Sequence, residues 1–169
     1  DACLARAVRM RRADLEHARA SPSIAGEGPL APPEQGEQLA PLVEHRHELF
    51  HPDACEIRHV AGELGSGAAA AWIRLRAELV TGEPPSSLSR VAAAADFANG
   101  LSWILPLRGW LFVNTELTIH LHREAEGEWI GLDARTSTSA AGFGLSTATL
   151  HDEHGPFGAC AQSLFVEPC

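Results

Sequence analysis

SRVAAAADFANG (residues 89–100), followed by FVNTELTIHLHR (112–123), EWIGLDARTST (128–138), FGLSTATLHD (143–152) and FGACAQSLFV (157–166), decides the fold. One Ala-rich helix and then four strands predict an antiparallel sheet wrapped around a single helix, an α+β arrangement. Two polar residues stand where such a fold wants apolar ones, Asp96 on the helix and Gln162 on the last strand.

Pro84 and Pro85 close the preceding segment, and Ser86 or Ser87 is placed to cap the helix. Spacings of three and four put Leu88, Val91, Ala92, Ala95 and Asn99 on one face, with Asp96 at its edge. Ala94 and Phe97 make the other side apolar too, so the helix is expected to be buried all round and to end at Gly100.

Strict alternation along 112–123 groups Val113, Thr115, Leu117, Ile119 and Leu121 on one face. It leaves Asn114, Glu116, Thr118, His120 and His122 on the other, so only a bulge would turn Asn114 toward the apolar row. On the last strand Gln162 shares a face with Cys160, Leu164 and Val166. A buried amide without a partner costs about 1–3 kcal/mol, which makes Asp96 a candidate partner for it.

Upstream, Glu56–Glu63 and Ala70–Val80 read as two strands joined by the GELGSG turn. The second is half-buried, with Trp72, Arg74, Arg76 and Glu78 alternating against Ile73, Leu75, Ala77 and Leu79. Residues 21–38 carry four prolines and three glycines and read as a loop or linker. The opening DACLARAVRM echoes the final GACAQSLFVE, as if the first residues were the last strand of an earlier copy of the same domain.

At 169 residues the chain suffices for one domain with a real core. A net charge of −9 argues against a nucleic-acid partner, and no apolar run is long enough for a membrane span. All thirteen basic residues are arginines, which hold phosphate in a fixed fork geometry, although Arg- and Ala-rich usage also reflects coding bias. The four cysteines have no paired spacing and read as reduced thiols of a cytoplasmic protein.

His47-Glu48-Leu49-Phe50-His51 matches HExxH in form, but Pro52 follows at once and no third ligand stands at a familiar spacing. His45, His47 and His51 read as surface residues leading into the strand near Cys55. His120 and His122 lack a completing ligand, so no metal is expected. There is no GxSxG and no glycine-rich phosphate loop, and Cys160 reads as an inert thiol within a strand.

The five segments quoted at the outset, together with GFGLSTATLHDEHG, resemble the C-terminal half of double hot-dog acyl-CoA thioesterases. The type is the thioesterase-like superfamily of GC-rich bacteria, related to thioesterase II. The resemblance covers roughly residues 50–169. It implies a hot-dog domain at 46–169, a linker at 13–45, and at 1–12 the last strand of a preceding, mostly absent hot-dog.

The resemblance also implies a hydrolytic water held by three residues: an Asp on the central helix, a hydroxyl at the start of the next strand, and a Gln on the last strand. By motif the Asp is Asp96 (AAADF), the Gln is Gln162 (CAQSL), and Asn114 (VNTEL) stands at the hydroxyl position with Thr115 beside it. Asn accepts from water and donates to a carbonyl but relays no proton as a hydroxyl does. The implied reaction is hydrolysis of an acyl-CoA or acyl-carrier thioester in fatty acid metabolism, without cofactor or covalent intermediate. The acyl chain is expected beside Phe97 and Trp103, and Arg123, Arg135 or Arg90 is expected near the phosphates. The expected partners are the thioester substrate and a second hot-dog, from the missing half or from another subunit of a homo-oligomer. The competing reading is a catalytically silent acyl-thioester binder or assembly subunit of a biosynthetic pathway. A hot-dog hydratase ranks third, since the GDxNPxH-like motif is absent.

Overall fold

The computed structural model describes residues 29–40 and 50–168. The opening segment 1–12, His45 and His47 lie outside these residues. Strands β1 (Glu37–Gln38), β2 (Cys55–Glu63), β3 (Ala68–Leu75), β4 (Trp110–Asn114), β5 (Thr118–Leu121), β6 (Trp129–Thr138), β7 (Phe143–Asp152) and β8 (Gly155–Pro168) form one sheet. The order is β1-β2-β3-β6-β7-β8-β4, with β5 also on β8, and every pairing is antiparallel. The α+β expectation holds.

Helix α1 (Phe50–Ala54) leads into β2, and α2 (Ser87–Ala95) and α3 (Ala98–Leu101) form the central helical unit. Ser86 caps α2 as expected, its side chain accepting from the Ser89 N–H at 3.1 Å. Helix α2 packs on β3 and β6, and α3 packs on β3, β6 and β7. Val91, Ala94, Ala95, Ala98 and Leu101 meet Ile73, Ile130, Leu132, Ala148, Leu150 and Cys160 in the core. The small alanines let the helix approach the curled sheet closely.

The helix is not buried all round. Leu88 is 62% exposed, and Ala92 and Asp96 face solvent. The sheet covers one side of α2, and the face that carries Leu88, Ala92 and Asp96 stays open. Nor does the helix run unbroken to Gly100: it divides at Asp96–Phe97 and resumes as α3, ending at Leu101.

Strand β3 stops at Leu75, five residues short of the expected Val80. Leu75 pairs with Cys55, the first residue of β2, and Arg74 pairs with Trp129, the first of β6. Past Leu75 the Arg76 N–H still donates to the Ala54 carbonyl at 2.7 Å, but no further pairing of β3 follows among the described residues, and the chain turns away. Within β3 the alternation also fails, since Trp72 on the outer face is buried. The Pro-rich segment lies across it: Trp72 Nε1 donates to the Ala31 carbonyl at 2.7 Å, Pro33 is buried, and β1 extends the sheet beside β2. Gly131, opposite Trp72 on β6, makes room for this strap, because a Cβ there would stand 2.8 Å from Leu30.

The segment expected as one strand over 112–123 is two. Asn114 opposes Leu164 while Thr118 opposes Ala161, so four steps along this chain match three along β8. The extra residue is accommodated at Ser163. The Thr115 N–H donates to the Ser163 carbonyl at 2.9 Å, and the Glu116 carboxylate accepts from the Ser163 N–H at 2.9 Å. This bulge reverses the alternation. Val113 faces outward, 46% exposed, whereas Ile119 and Leu117 pack against the core.

Candidate active site

The bulge turns Asn114 toward the helix. Its Nδ2 donates to Asp96 Oδ1 at 3.0 Å. A residue that alternation alone places opposite the apolar row therefore meets the helix carboxylate directly.

Gln162 is fully buried, and its partner is indeed Asp96, through the main chain rather than the carboxylate. Gln162 Nε2 donates to the Asp96 carbonyl at 3.0 Å, and its Oε1 accepts from the Asn99 N–H at 3.0 Å. In an unbroken helix the Asp96 carbonyl would take the Gly100 N–H, and the Asn99 N–H would go to the Ala95 carbonyl. The amide thus replaces two rungs of the helical ladder, a recognised cause of a helix break. The Ala95 carbonyl is left facing the Cys160 thiol at 3.9 Å. Asp96, at the C-cap of α2, is thereby fixed on the open side of the helix.

Beside Asp96 runs a groove of about 580 Å³. Leu88, Ala92 and Asp96 line it from the helix, one turn apart, and Leu79, Phe50 and Leu117 line it from the surrounding segments. Its walls are apolar except for Asp96 at one end and the Ser86 and Ser89 hydroxyls at the other. The helical i, i+4, i+8 spacing of 88, 92 and 96 is the sequence signal for this surface. The groove itself also needs Leu79, Phe50 and Leu117, which are distant in sequence.

The other expected site residues lie elsewhere. Thr115 directs its hydroxyl to the Ser163 carbonyl at 3.1 Å. Phe97 lies against the His51 ring, centroids 4.8 Å apart, and His51 Nε2 contacts the Ala93 carbonyl at 2.9 Å, so this histidine braces α1 on α2. Trp103 stands over the β2–β3 turn, where a Cβ at Gly65 would meet its indole at 3.1 Å. Neither aromatic ring lines the groove.

Arg123 forms a two-pronged pair with Asp152, at 2.5 and 2.7 Å, donates to the Gly155 carbonyl at 2.9 Å and lies over Phe157. Burial raises the Asp152 pKa, but the hydrogen bonds from Arg123 and from the Glu126 and His154 N–H groups outweigh it and hold it down at about 2. Arg90 donates to the Pro85 carbonyl at 2.7 Å, and Arg135 pairs with Asp133 at 3.5 Å. The Cys55 and Cys160 thiols are pushed up to about 11 by burial, which leaves them protonated and unreactive at neutral pH. Among the described residues no three His, Cys, Asp or Glu side chains cluster as metal ligands.

The fold is shared with solved proteins. A candidate thioesterase from Novosphingobium aromaticivorans superposes with a TM-score of 0.64 at 23% identity, over 89% of this chain and 57% of its own. Acyl-CoA thioesterase II TesB2 from Mycobacterium marinum gives 0.62 at 15% identity, over 94% and 60%. A protein of unknown function with a hot-dog fold from Alicyclobacillus acidocaldarius gives 0.61 at 14%, over 93% and 58%. The chain thus spans somewhat under two thirds of each of these proteins. No curated protein matches it. No helix among the described residues is long and apolar enough to cross a membrane. The acyl-CoA thioesterase C-terminal domain family matches residues 24–166, most of the chain, and this hot-dog domain belongs to that family.

Proposed function

We propose that this domain hydrolyses an acyl-CoA or acyl-carrier thioester, with Asp96 as the base that takes a proton from the attacking water. The carrying observation is the Asn114–Asp96 pair, 3.0 Å apart, standing at the polar end of an apolar groove. The Asn114 amide holds the carboxylate and keeps its own carbonyl oxygen free to accept from a water. Water attacks the thioester carbonyl, Asp96 receives the proton, and the collapsing tetrahedral intermediate expels the thiolate, which takes that proton back.

Gln162 supports the same centre from beneath, since its amide sets the helix break that presents Asp96. Its second N–H is the one donor left on that amide. A second hot-dog surface, from elsewhere in the same protein or from another copy, completes the proposed assembly. The edge of β4, unpaired among the described residues, and the exposed Leu79 and Leu88 beside the groove support such a neighbour. Cytoplasmic placement and a role in fatty acid metabolism belong to this proposal as well.

Hydrolysis of an acyl-CoA series, followed as release of free thiol, tests the reading. Turnover that Asp96→Asn lowers by ~10²-fold or more is expected. Turnover unchanged by that substitution sinks the mechanism. The silent-binder alternative draws on the same pair, because Asn114 occupies one oxygen of the one carboxylate that lines the groove among the described residues, and offers no hydroxyl. Tight binding of an acyl-CoA without turnover would decide for it.

A further inference from the structure

The groove beside α2 has a definite length, and we infer that it selects acyl chains of medium length, about eight to ten carbons. The inference rests on the proposed thioesterase reading and deepens it. The scissile carbonyl must sit at the Asp96 carboxylate. Helical side chains lean toward the N-terminus, so Asp96 tilts over Ala92 and directs the groove back along α2.

From Asp96 to Ser89 is seven residues, and to Ser86 ten, which at 1.5 Å per residue is about 10 and 15 Å. Carbon–carbon bonds of ~1.5 Å in a zigzag advance about 1.3 Å each, so about eight carbons reach Ser89. The Ser86 side chain reaches forward to Ser89, to its N–H at 3.1 Å and its hydroxyl at 2.8 Å, so about one or two more carbons reach the end of the groove. There the chain meets these two hydroxyls, bonded to each other, on the groove-lining residues nearest the start of α2.

The walls suit hydrocarbon rather than the polar arm of coenzyme A: Leu79, Leu88, Ala92 and Leu117 carry no hydrogen-bonding side chain. Fully burying one methylene is worth about a fourfold gain in affinity, and roughly half the free energy, about twofold, in a groove open on one side. Six added methylenes therefore separate an octanoyl from an acetyl group by more than tenfold. Ala92 is the specificity-determining position. It lies four residues, about 6 Å, from Asp96, so a large side chain there closes the groove after about four or five carbons.

The test measures kcat/KM for acetyl- to hexadecanoyl-CoA on the wild-type chain, on Ala92→Phe and on Leu88→Ala. The expected wild-type profile peaks at eight to ten carbons, more than tenfold above acetyl. In Ala92→Phe the peak moves to about four carbons and the octanoyl-to-acetyl ratio falls at least tenfold. In Leu88→Ala, which opens the far end, the peak moves to longer chains. A profile with no peak, or an Ala92→Phe variant whose octanoyl-to-acetyl ratio is unchanged, overturns the inference.

If the wild type hydrolyses none of the series, the thioesterase reading fails and calorimetry of acetyl-, octanoyl- and hexadecanoyl-CoA decides the inference separately. It stands if octanoyl-CoA binds more than tenfold tighter than acetyl-CoA and Ala92→Phe removes the difference. It falls if the three bind alike. An Ala92→Phe chain that changes its mass in solution, by light scattering, and keeps the wild-type chain-length ratio shows a protein surface in the groove, and also overturns it.

Discussion

Gln162 is the residue on which the site's geometry turns. Removing its amide leaves the buried Asn99 N–H and the part-buried Asp96 carbonyl unpaired, and two lost partners of this kind cost about 2–4 kcal/mol together. Gln162→Met, which keeps the volume, is expected to lower stability by that amount in urea denaturation and to reduce kcat with the loosened helix break. Full stability in that variant would show that the helix breaks for another reason. Glu56 makes a different prediction. It is 3% exposed and takes Arg58 on one oxygen and Arg74 and Arg76 on the other, with Arg58 and Arg74 lying over the Trp129 ring. Burial raises its pKa, but the three guanidiniums outweigh it and bring it from 4.5 to about 2. A depressed carboxylate pKa stabilises the fold above the unfolded value, and that contribution is lost as pH falls through the folded one. With Asp152 shifted the same way, stability is expected to hold above pH 4.5 and to decline toward pH 2. Glu56→Gln should flatten the decline and cost about 3 kcal/mol at neutral pH, since it leaves the arginines without their carboxylate. Denaturation curves at a series of pH values test both statements.

The bulge between β4 and β5 belongs to the scale of elements. One extra residue lets Asn114 face the helix while Leu117 and Ile119, a few positions on, face the same side. Without it one of these two requirements would fail, because side chains alternate strictly along a strand. Glu116 holds the bulge by accepting from both the main-chain N–H and the hydroxyl of Ser163, at 2.9 Å each. Glu116→Ala is expected to cost about 1 kcal/mol in thermal or urea unfolding. Deletion of Thr115 should be far worse, turning either Asn114 out of the site or Leu117 and Ile119 out of the core. A deletion variant with wild-type stability and turnover would contradict this account.

At the scale of the whole molecule, the sheet is closed on its inner face by α2 and α3 and on part of its outer face by the strap of residues 29–38. Trp72, 2% exposed, reports on that strap, since Leu30, Ala31 and Pro33 lie at or beside its cover. A chain that starts at residue 41 is expected to unfold at lower temperature and to show red-shifted tryptophan emission. Unchanged emission would mean that Trp72 stays dry by other contacts. Outside this cover, apolar side chains remain exposed along Leu79 and Leu88, next to the proposed site. The proposed site lies on this open side of α2, away from the strap.

The order of elements was legible in local pattern: the alanine run, the strands β6, β7 and β8 and the capping serine all follow from propensity and spacing, which need no knowledge of distant residues. Asp96 and Gln162 were legible as anomalies for the same reason, since a polar residue in an apolar row shows in one dimension. The facing of Asn114, the insertion of Gln162 into the helical ladder, and the groove that leaves Phe97 and Trp103 aside were decided by tertiary structure. Each depends on register between segments tens of residues apart, and a single bulge reverses every side chain after it. The sequence by itself determined which residues are chemically able to form the site. Only the pairing of β4 and β5 with β8, and of β8 with the helix, determined how they meet.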